Sequence, residues 1–483
     1  MKISNPWRNS MPQTHEILDF ASLFDGLDIE VPTLNGGFRR YINFDNAAST
    51  PPLKAVKKSV NEFMNFYSSV HRGSGYKSQL STHAYESARR SVMNFVGADP
   101  RFHTCIFGKN TTEAINKLAR RYPFSEQRNV VITSGMEHHS NDLPWRSVAK
   151  VIHIRMTEEG KVDESQFDEM LERYSNQVAL VAITGATNVT GFINPYYRLA
   201  EKAHKVGARI ALDCAQLAPH RKIDMLPVED PSHIDFIALS AHKLYAPFGT
   251  GALVGLQEIF AEGDPDMTGG GTVDIVTLDD VVWTIPPERD EAGSPNTIGA
   301  IALAAAIYQL EKIGMDVIAD HEAQLTASML EKLKQIEDIR IYGDDNPDRA
   351  AERLGVIPFN LKDQSHFLVA AILGHEFGIG IRNGCFCAHP YVLHLLNISQ
   401  EESLKVREKI LFGDRSDMPG FLRVSFGLYN SLDEIDHFMD ALHRIQAGNY
   451  KGEYHQDRAS GDYSPQGWEP DFDKFFSIPD LNN

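Results

Sequence analysis

Between about residues 100 and 260, short apolar runs alternate with stretches whose apolar residues recur at helical spacing. The runs are Thr104–Phe107, Val130–Thr133, Val151–Arg155, Ala179–Thr184, Ile210–Leu212, Phe236–Leu239 and Ala252–Val254. Most are rich in β-formers and apolar on both faces, as strands covered by helices on both sides must be. Helical segments stand between them, among them Tyr197–Val206 and Thr112–Tyr122, the latter with apolar residues at Ala114, Ile115, Leu118 and Ala119. Strand and helix repeated in this way predict a mostly parallel α/β sheet, with ligands outside the carboxyl ends of the strands.

From about residue 300 the pattern changes. A long helical stretch begins at Ile301, followed by a strand at Gly355–Asn360, a helix at Gln364–Phe377, and strands at Gly378–Arg382 and Phe421–Phe426. Ser431-Leu-Asp-Glu434 has the spacing of a capping box. It opens a helix with apolar residues at Ile435, Phe438, Met439, Leu442 and Ile445. These elements predict a smaller α+β domain over residues 301–447, joined by an N-terminal segment, residues 1–60. The large α/β domain covers 61–300, and residues 448–483 form a tail of weak pattern.

Composition narrows the class. Of 483 residues, 47 are Lys or Arg and 65 are Asp or Glu, so the formal charge is −18 with His neutral. So acidic a surface repels nucleic-acid phosphates and anionic lipid headgroups, and neither partner is expected. Four cysteines are too few for a disulfide framework and suit a reducing, cytoplasmic setting. The first twenty residues lack the apolar run of a signal peptide, and no later stretch reaches the ~18 apolar residues of a membrane span.

Candidate chemistry gathers at predicted strand ends. Lys243, in Ser240-Ala-His-Lys243, follows the run ending at Leu239. A lysine there is partly desolvated, which favours the free amine that a Schiff base requires. Asp213 ends the run Ile210–Leu212. Singly, the first is also the pattern of a surface lysine and the second that of a helix cap. Together they suit pyridoxal phosphate, which needs a lysine amine and an acidic partner for its ring nitrogen. Gly108-Lys-Asn-Thr-Thr-Glu113 opens a helix after a strand, and the helix N-terminus with Thr111 or Thr112 makes an anion site or simply a capped helix.

In Met136-Glu-His-His139, one histidine can stack on a planar ring and pass protons. No further ligands stand at zinc spacing, and no metal is expected. Arg382-Asn-Gly-Cys-Phe-Cys-Ala-His-Pro390 reads as a loop bracketed by Gly384 and Pro390. Its Cys385 and Cys387 are candidate ligands, a redox pair or one nucleophile, with only His389 nearby as a further ligand. Arg423 interrupts an apolar strand, either as an ion pair at the core edge or as a clamp on a substrate carboxylate.

Taken together, these stretches resemble the class V aminotransferase family of fold-type I pyridoxal-phosphate enzymes. Within it the likeness is to cysteine desulfurases of the selenocysteine-lyase-like (SufS) group. Phe44-Asp-Asn-Ala-Ala-Ser49, Val70-His-Arg-Gly73, Thr187-Asn-Val-Thr-Gly191, Asp213-Cys-Ala-Gln216, Gly269-Gly-Gly271 and Glu291-Ala-Gly-Ser-Pro-Asn296 add to the motifs above. The likeness runs from about residue 40 to about 445. Two features depart from it: Cys385 stands where the desulfurases often carry His, so that Gly384-Cys-Phe-Cys387 resembles the molybdenum-cofactor sulfurase loop, and Tyr391–Gly420 makes a long link.

The resemblance implies that Lys243 carries the cofactor, Asp213 binds its ring nitrogen and His138 stacks on the ring. Asn188 and Gln216 would hold the phenolic oxygen side. Thr111, Thr112, Ser240 and His242 would bind the phosphate, with Ser294 reaching in from a second subunit of a homodimer. Arg423, with Arg382 and Asn188, would hold the substrate carboxylate, and Cys387 would be the nucleophile. The implied reaction converts L-cysteine (or selenocysteine) to L-alanine, leaving a persulfide for a sulfur-acceptor protein. Epimerisation, transamination, β-elimination or a sulfur-carrier role without turnover are the alternatives.

Overall fold

The computed structural model describes residues 19–478 apart from Asn35. The signal-peptide reading and the first part of the N-terminal segment lie largely outside the described residues. The alternating region forms a seven-stranded sheet of β1 (His103–Gly108), β2 (Val130–Ser134), β3 (Lys150–Ile154), β4 (Val178–Thr184), β5 (Arg209–Asp213), β6 (Phe236–Ser240) and β7 (Gly251–Leu256), in the order β1-β7-β6-β5-β4-β2-β3. The β2–β6 pairings are parallel, and only β7 is reversed, lying antiparallel between β1 and β6. All seven residues of β4 are buried, as the two-faced apolar pattern requires.

Helices α1 (Lys54–Met64), α2 (Tyr76–Phe95), α3 (Thr111–Arg121), α4 (Tyr196–Lys205) and α5 (Thr297–Ile313) belong to the unit built on this sheet. α5 packs on α1 and α2, and Ala300, Leu303, Ile307 and Leu310 join Val56 and Val60 in the larger core. Gly314, with a φ of 100°, breaks the helix before α6 (Met315–Leu333), whose Ile318 joins the larger core while Leu325, Met329 and Leu333 join the smaller. Of the N-terminal segment, Ile42 and Phe44 enter the smaller core while α1 enters the larger. The pattern at residue 300 marked a change of composition, because an Ala-rich helix buried on most sides carries no signal of which core it faces.

The smaller unit is an antiparallel sheet of β8 (Ile339–Ile341), β9 (Val356–Leu361), β10 (Arg382–Gly384) and β11 (Phe421–Ser425), in the order β8-β9-β11-β10. It packs against α6, α7 (His366–Phe377) and α10 (Leu432–Gln446), and the capping box at Ser431 and Glu434 is formed. The predicted strand Gly378–Arg382 is two pieces. Ile379–Gly380 pairs in parallel with Ile42–Asn43, and β10 then joins β11.

The link after the cysteines forms α8 (His389–Leu395) and α9 (Gln400–Leu411). The tail folds back as a hairpin, Tyr454–Gln456 with Tyr463–Pro465. It meets the end of the link where the Arg415 N–H donates to the Arg458 carbonyl and Gln456 Nε2 to the Ser416 carbonyl.

Candidate active site

Strand ends build one cavity of about 240 Å³ at the carboxyl edge of the large sheet. Its wall includes Thr111, Thr112, His138, Asn188, Asp213, Gln216, Ser240, His242, Lys243, Arg382, Cys387 and Arg423. Every predicted site residue except Ser294 is thus brought together. Ser294 is exposed and lines a different cavity, with Gly270, Gly271, His71 and Arg72. The rest of its motif is structural: Glu291 pairs with Arg89 and accepts from the Phe107 N–H, and Asn296 caps α5.

β5 and β6 set the central pair. Asp213 closes β5, is 5% exposed, and accepts from the Ala215 N–H through Oδ1 at 2.9 Å. Its other oxygen has no hydrogen bond to a described residue. Burial raises its pKa, against the pull of Lys243. Lys243 lies in the short turn after β6. Burial lowers its pKa to about 8, so this amine loses its proton far more readily than an exposed lysine, although the ammonium still predominates at neutrality. His138 has its pKa lowered to about 3 by burial and by the Lys243 charge. Its Nδ1 accepts the Ser140 N–H at 3.1 Å, so the proton of the neutral ring sits on Nε2.

The residues of the predicted anion site stand together at the start of α3. Asn110 caps α3 by accepting from the Glu113 N–H. The Thr111 N–H donates to Ser240 Oγ at 2.8 Å, Thr111 Oγ1 meets the same oxygen at 2.8 Å, and Thr112 Oγ1 lies 2.6 Å from Ser140 Oγ. A Cβ at Gly251 would lie 2.5 Å from Asn110 Cα and 2.6 Å from the Leu239 carbonyl, so only glycine lets β7 pass beneath this turn.

The other wall comes from the smaller unit. In the β10–β11 pairing Arg382 stands directly opposite Arg423, and one carboxylate, Asp45, holds both. Oδ1 is 2.8 Å from Arg423 Nη2 and Oδ2 is 3.7 Å from Arg382 Nη1. Arg423 is 2% exposed. It also donates to the Asn188 carbonyl and packs over the Phe386 ring, yet its buried Nε has no partner among the described residues.

The cysteine segment, read from sequence as a glycine-bracketed loop, is a short turn tied on every side. Asn188 Nδ2 donates to the Phe386 carbonyl, the His139 N–H to the Cys387 carbonyl, and the Cys385 thiol to the Pro419 carbonyl. Phe386 and Cys387 have φ of 53° and 55°. The surrounding bonds hold these left-handed residues in place, at a cost of roughly 1–2 kcal/mol each. Cys387 is exposed at the cavity while Cys385 is buried. Asn188 thus spends its amide on the cysteine turn, and Gln216 donates its own to the Ala47 carbonyl.

Asp45 and Ser140 were not read from sequence as site residues. Asp45 stood in a quoted motif, but its role needs the β10–β11 register. Ser140 carries no signal beyond following the histidine pair.

Residues 42–438 match the family model for aminotransferase class-V. The chain belongs to that family. Relatives include the cysteine desulfurase of Haloferax volcanii, 32% identical over 409 residues that cover 83% of this chain and 88% of the relative. The cysteine desulfurase of Dickeya dadantii is 34% identical over 423 residues, 86% of this chain and 93% of the relative. Among solved structures, a cysteine desulfurase from Thermococcus onnurineus aligns with TM-score 0.73 at 33% identity, covering 84% of this chain and 95% of that one. One from Escherichia coli aligns with TM-score 0.72 at 26% identity, covering 90% and 99%.

The fold is therefore that of the type I pyridoxal-phosphate enzymes, and the class-V cavity fits this cofactor. Asp213 offers an unengaged carboxylate oxygen for the ring nitrogen and Lys243 an amine of lowered pKa for the aldehyde carbon. Thr111, Thr112, Ser240 and His242 offer donors at a helix N-terminus for the phosphate.

Proposed function

We propose that the chain is a pyridoxal-phosphate-dependent cysteine desulfurase that removes sulfur from L-cysteine, or selenium from selenocysteine, and releases L-alanine. The observation that carries this reading is the exposed Cys387 on a tied turn, lining the same cavity as Lys243 and Asp213. The cysteine desulfurases among its relatives support it.

When bound, the cofactor supplies an electron sink for the substrate α-carbon. Asp213, as the carboxylate, keeps a proton on the ring nitrogen. Lys243 is the base placed to take the α-proton, with a pKa near the working pH. Arg423 binds the substrate carboxylate in place of Asp45, its unpartnered Nε becoming satisfied. The Cys387 thiolate attacks the substrate sulfur. A new S–S bond forms on the enzyme as the Cβ–S bond breaks, and the carbon skeleton leaves as alanine. With L-cysteine and no reductant, the holoenzyme should yield one alanine per Cys387 persulfide, read by amino-acid analysis and mass spectrometry of the alkylated peptide. Pyruvate, D-cysteine, or alanine without persulfide on Cys387 would move the reading to β-elimination, epimerisation or another sulfur path.

Two finer points belong to the same proposal. The enzyme acts in the cytoplasm, which its four unpaired cysteines support. It is also a homodimer. The hairpin Val273–Val276 with Val281–Trp283 exposes Ile275, Val276, Leu278 and Val282, and Ser294 lies in the neighbouring cavity. Sedimentation should give about twice the chain mass. A fully active monomer at assay concentration would reject the dimer.

A further inference from the structure

β6 has chemistry at both ends. Its carboxyl end carries Ser240 and Lys243. At its amino end, roughly 16–17 Å away along the strand, Asp235 is 2% exposed and faces two histidines from other elements: His204 in α4 and His233 in the loop before the strand. Nothing in the reaction uses them.

The hydrogen bonds of the two rings constrain their charge. His204 Nδ1 lies 2.8 Å from the Pro231 carbonyl and His233 Nδ1 2.7 Å from the Asp230 carbonyl. A carbonyl oxygen only accepts, so both Nδ1 atoms carry protons, and each Nε2 is left turned to the same carboxylate. His204 Nε2 is 2.9 Å from Asp235 Oδ2 and His233 Nε2 is 3.5 Å from Oδ1. If the rings are neutral, two lone pairs point at an anion. If both are charged, two cations stack with centroids 4.1 Å apart and planes 18° from parallel, sharing one negative charge. With one ring charged, that ring pairs with Asp235 and the other ring's Nε2 lone pair still points at the same carboxylate. A cation between the three side chains would instead engage all three donor atoms.

We propose that His204, His233 and Asp235 form a zinc site. Their donor atoms lie within 4.8 Å of one another, and tetrahedral zinc with bonds of about 2.0–2.1 Å spaces its donors by about 3.3 Å. The outer shell is already in place. Each Nδ1–H donates to a backbone carbonyl, and the Ile210 N–H donates to Asp235 Oδ2 at 2.8 Å, the arrangement that orients ligands around zinc. His204 and His233 keep 17% and 15% of their side-chain surface, which leaves solvent access for the fourth ligand. Bound zinc would staple α4, the loop at 230–233 and β6, so its role is structural.

The test uses the Cys387→Ser holoenzyme, which lacks the exposed thiolate as a competing ligand. After dialysis against a chelator, Zn²⁺ is titrated against a chromophoric chelator and Co²⁺ is followed by visible absorption. One equivalent per chain is expected, with tetrahedral cobalt bands and no thiolate charge-transfer band. Adding His204→Gln and His233→Gln should weaken binding by more than the ~10–100-fold lost with an outer-shell partner. Zn²⁺ should raise the unfolding temperature of the parent and leave that of the histidine variants unchanged. Should the histidine variants misfold, Asp235→Asn alone carries the same comparison. Binding unchanged by these substitutions, or no equivalent taken up, would overturn the site and leave a histidine–aspartate ion-pair cluster.

Discussion

Lys243→Ala is expected to lower alanine formation from L-cysteine by at least ~10²–10⁴-fold, the range lost with a placed proton-transfer group. The effect is large because two functions share one atom. Nζ is the amine offered to the cofactor's aldehyde in the proposed function, and it is the base with a pKa brought to about 8 by burial. The same shift gives an independent readout. In cofactor-free protein, competitive labelling of lysines across pH should show Lys243 reaching full reactivity as pH rises through about 8, well before lysines at the ordinary value. Burial disfavours the ammonium, so the proton leaves earlier; a midpoint near 10.5 would show an amine open to solvent. Activity retained in Lys243→Ala, or a borohydride-reducible lysine adduct still formed by that variant, would remove Lys243 from its role.

The strands and the Lys243–Asp213 pair were legible because they follow local rules. Fully buried runs end in a polar residue where a parallel sheet meets its ligand, and β1 to β7 lie within a residue or two of the predicted runs. What was not legible depends on contacts between distant segments. Arg382 and Arg423 face each other only because β10 joins β11 from a stretch that first pairs with Ile42–Asn43. Asp45 between them follows from that register. The exposed helix α9 buries none of its residues, so its apolar positions gave no core-facing stripe. His204, His233 and Asp235 meet from a helix end, a loop and a strand start, a juxtaposition that spacing along the chain does not show. The cysteine segment has the composition of a free loop, and the bonds that tie it come from Asn188, His139 and Pro419, each far away in sequence.

Those bonds divide the two cysteines. Cys385 is buried, its pKa is pushed up to about 12 by burial and by the neighbouring Cys387, and its S–H donates to the Pro419 carbonyl at 2.9 Å. A neutral thiol committed as a donor is a poor nucleophile. It positions the turn instead, pinning it to the end of the Tyr391–Gly420 link, where a Cβ on Gly420 would lie 2.6 Å from Gly384 Cα. Cys387 reaches the cavity from the other end of the same turn. Cys387→Ser is therefore expected to abolish persulfide and lower alanine release by roughly 100-fold or more, because the nucleophile itself is removed. Cofactor absorbance should be unchanged. Cys385→Ser keeps a donor to Pro419 and should retain most activity. Cys385→Ala loses the bond and should fall about two- to fivefold, the size of one neutral hydrogen bond of ~0.5–1 kcal/mol. Single-turnover alanine, persulfide mapping and the absorption spectrum of all three variants decide the matter. Persulfide found on Cys385, or alanine release lost in Cys385→Ser and kept in Cys387→Ser, would make Cys385 the nucleophile and require the turn to open at Pro419 during catalysis.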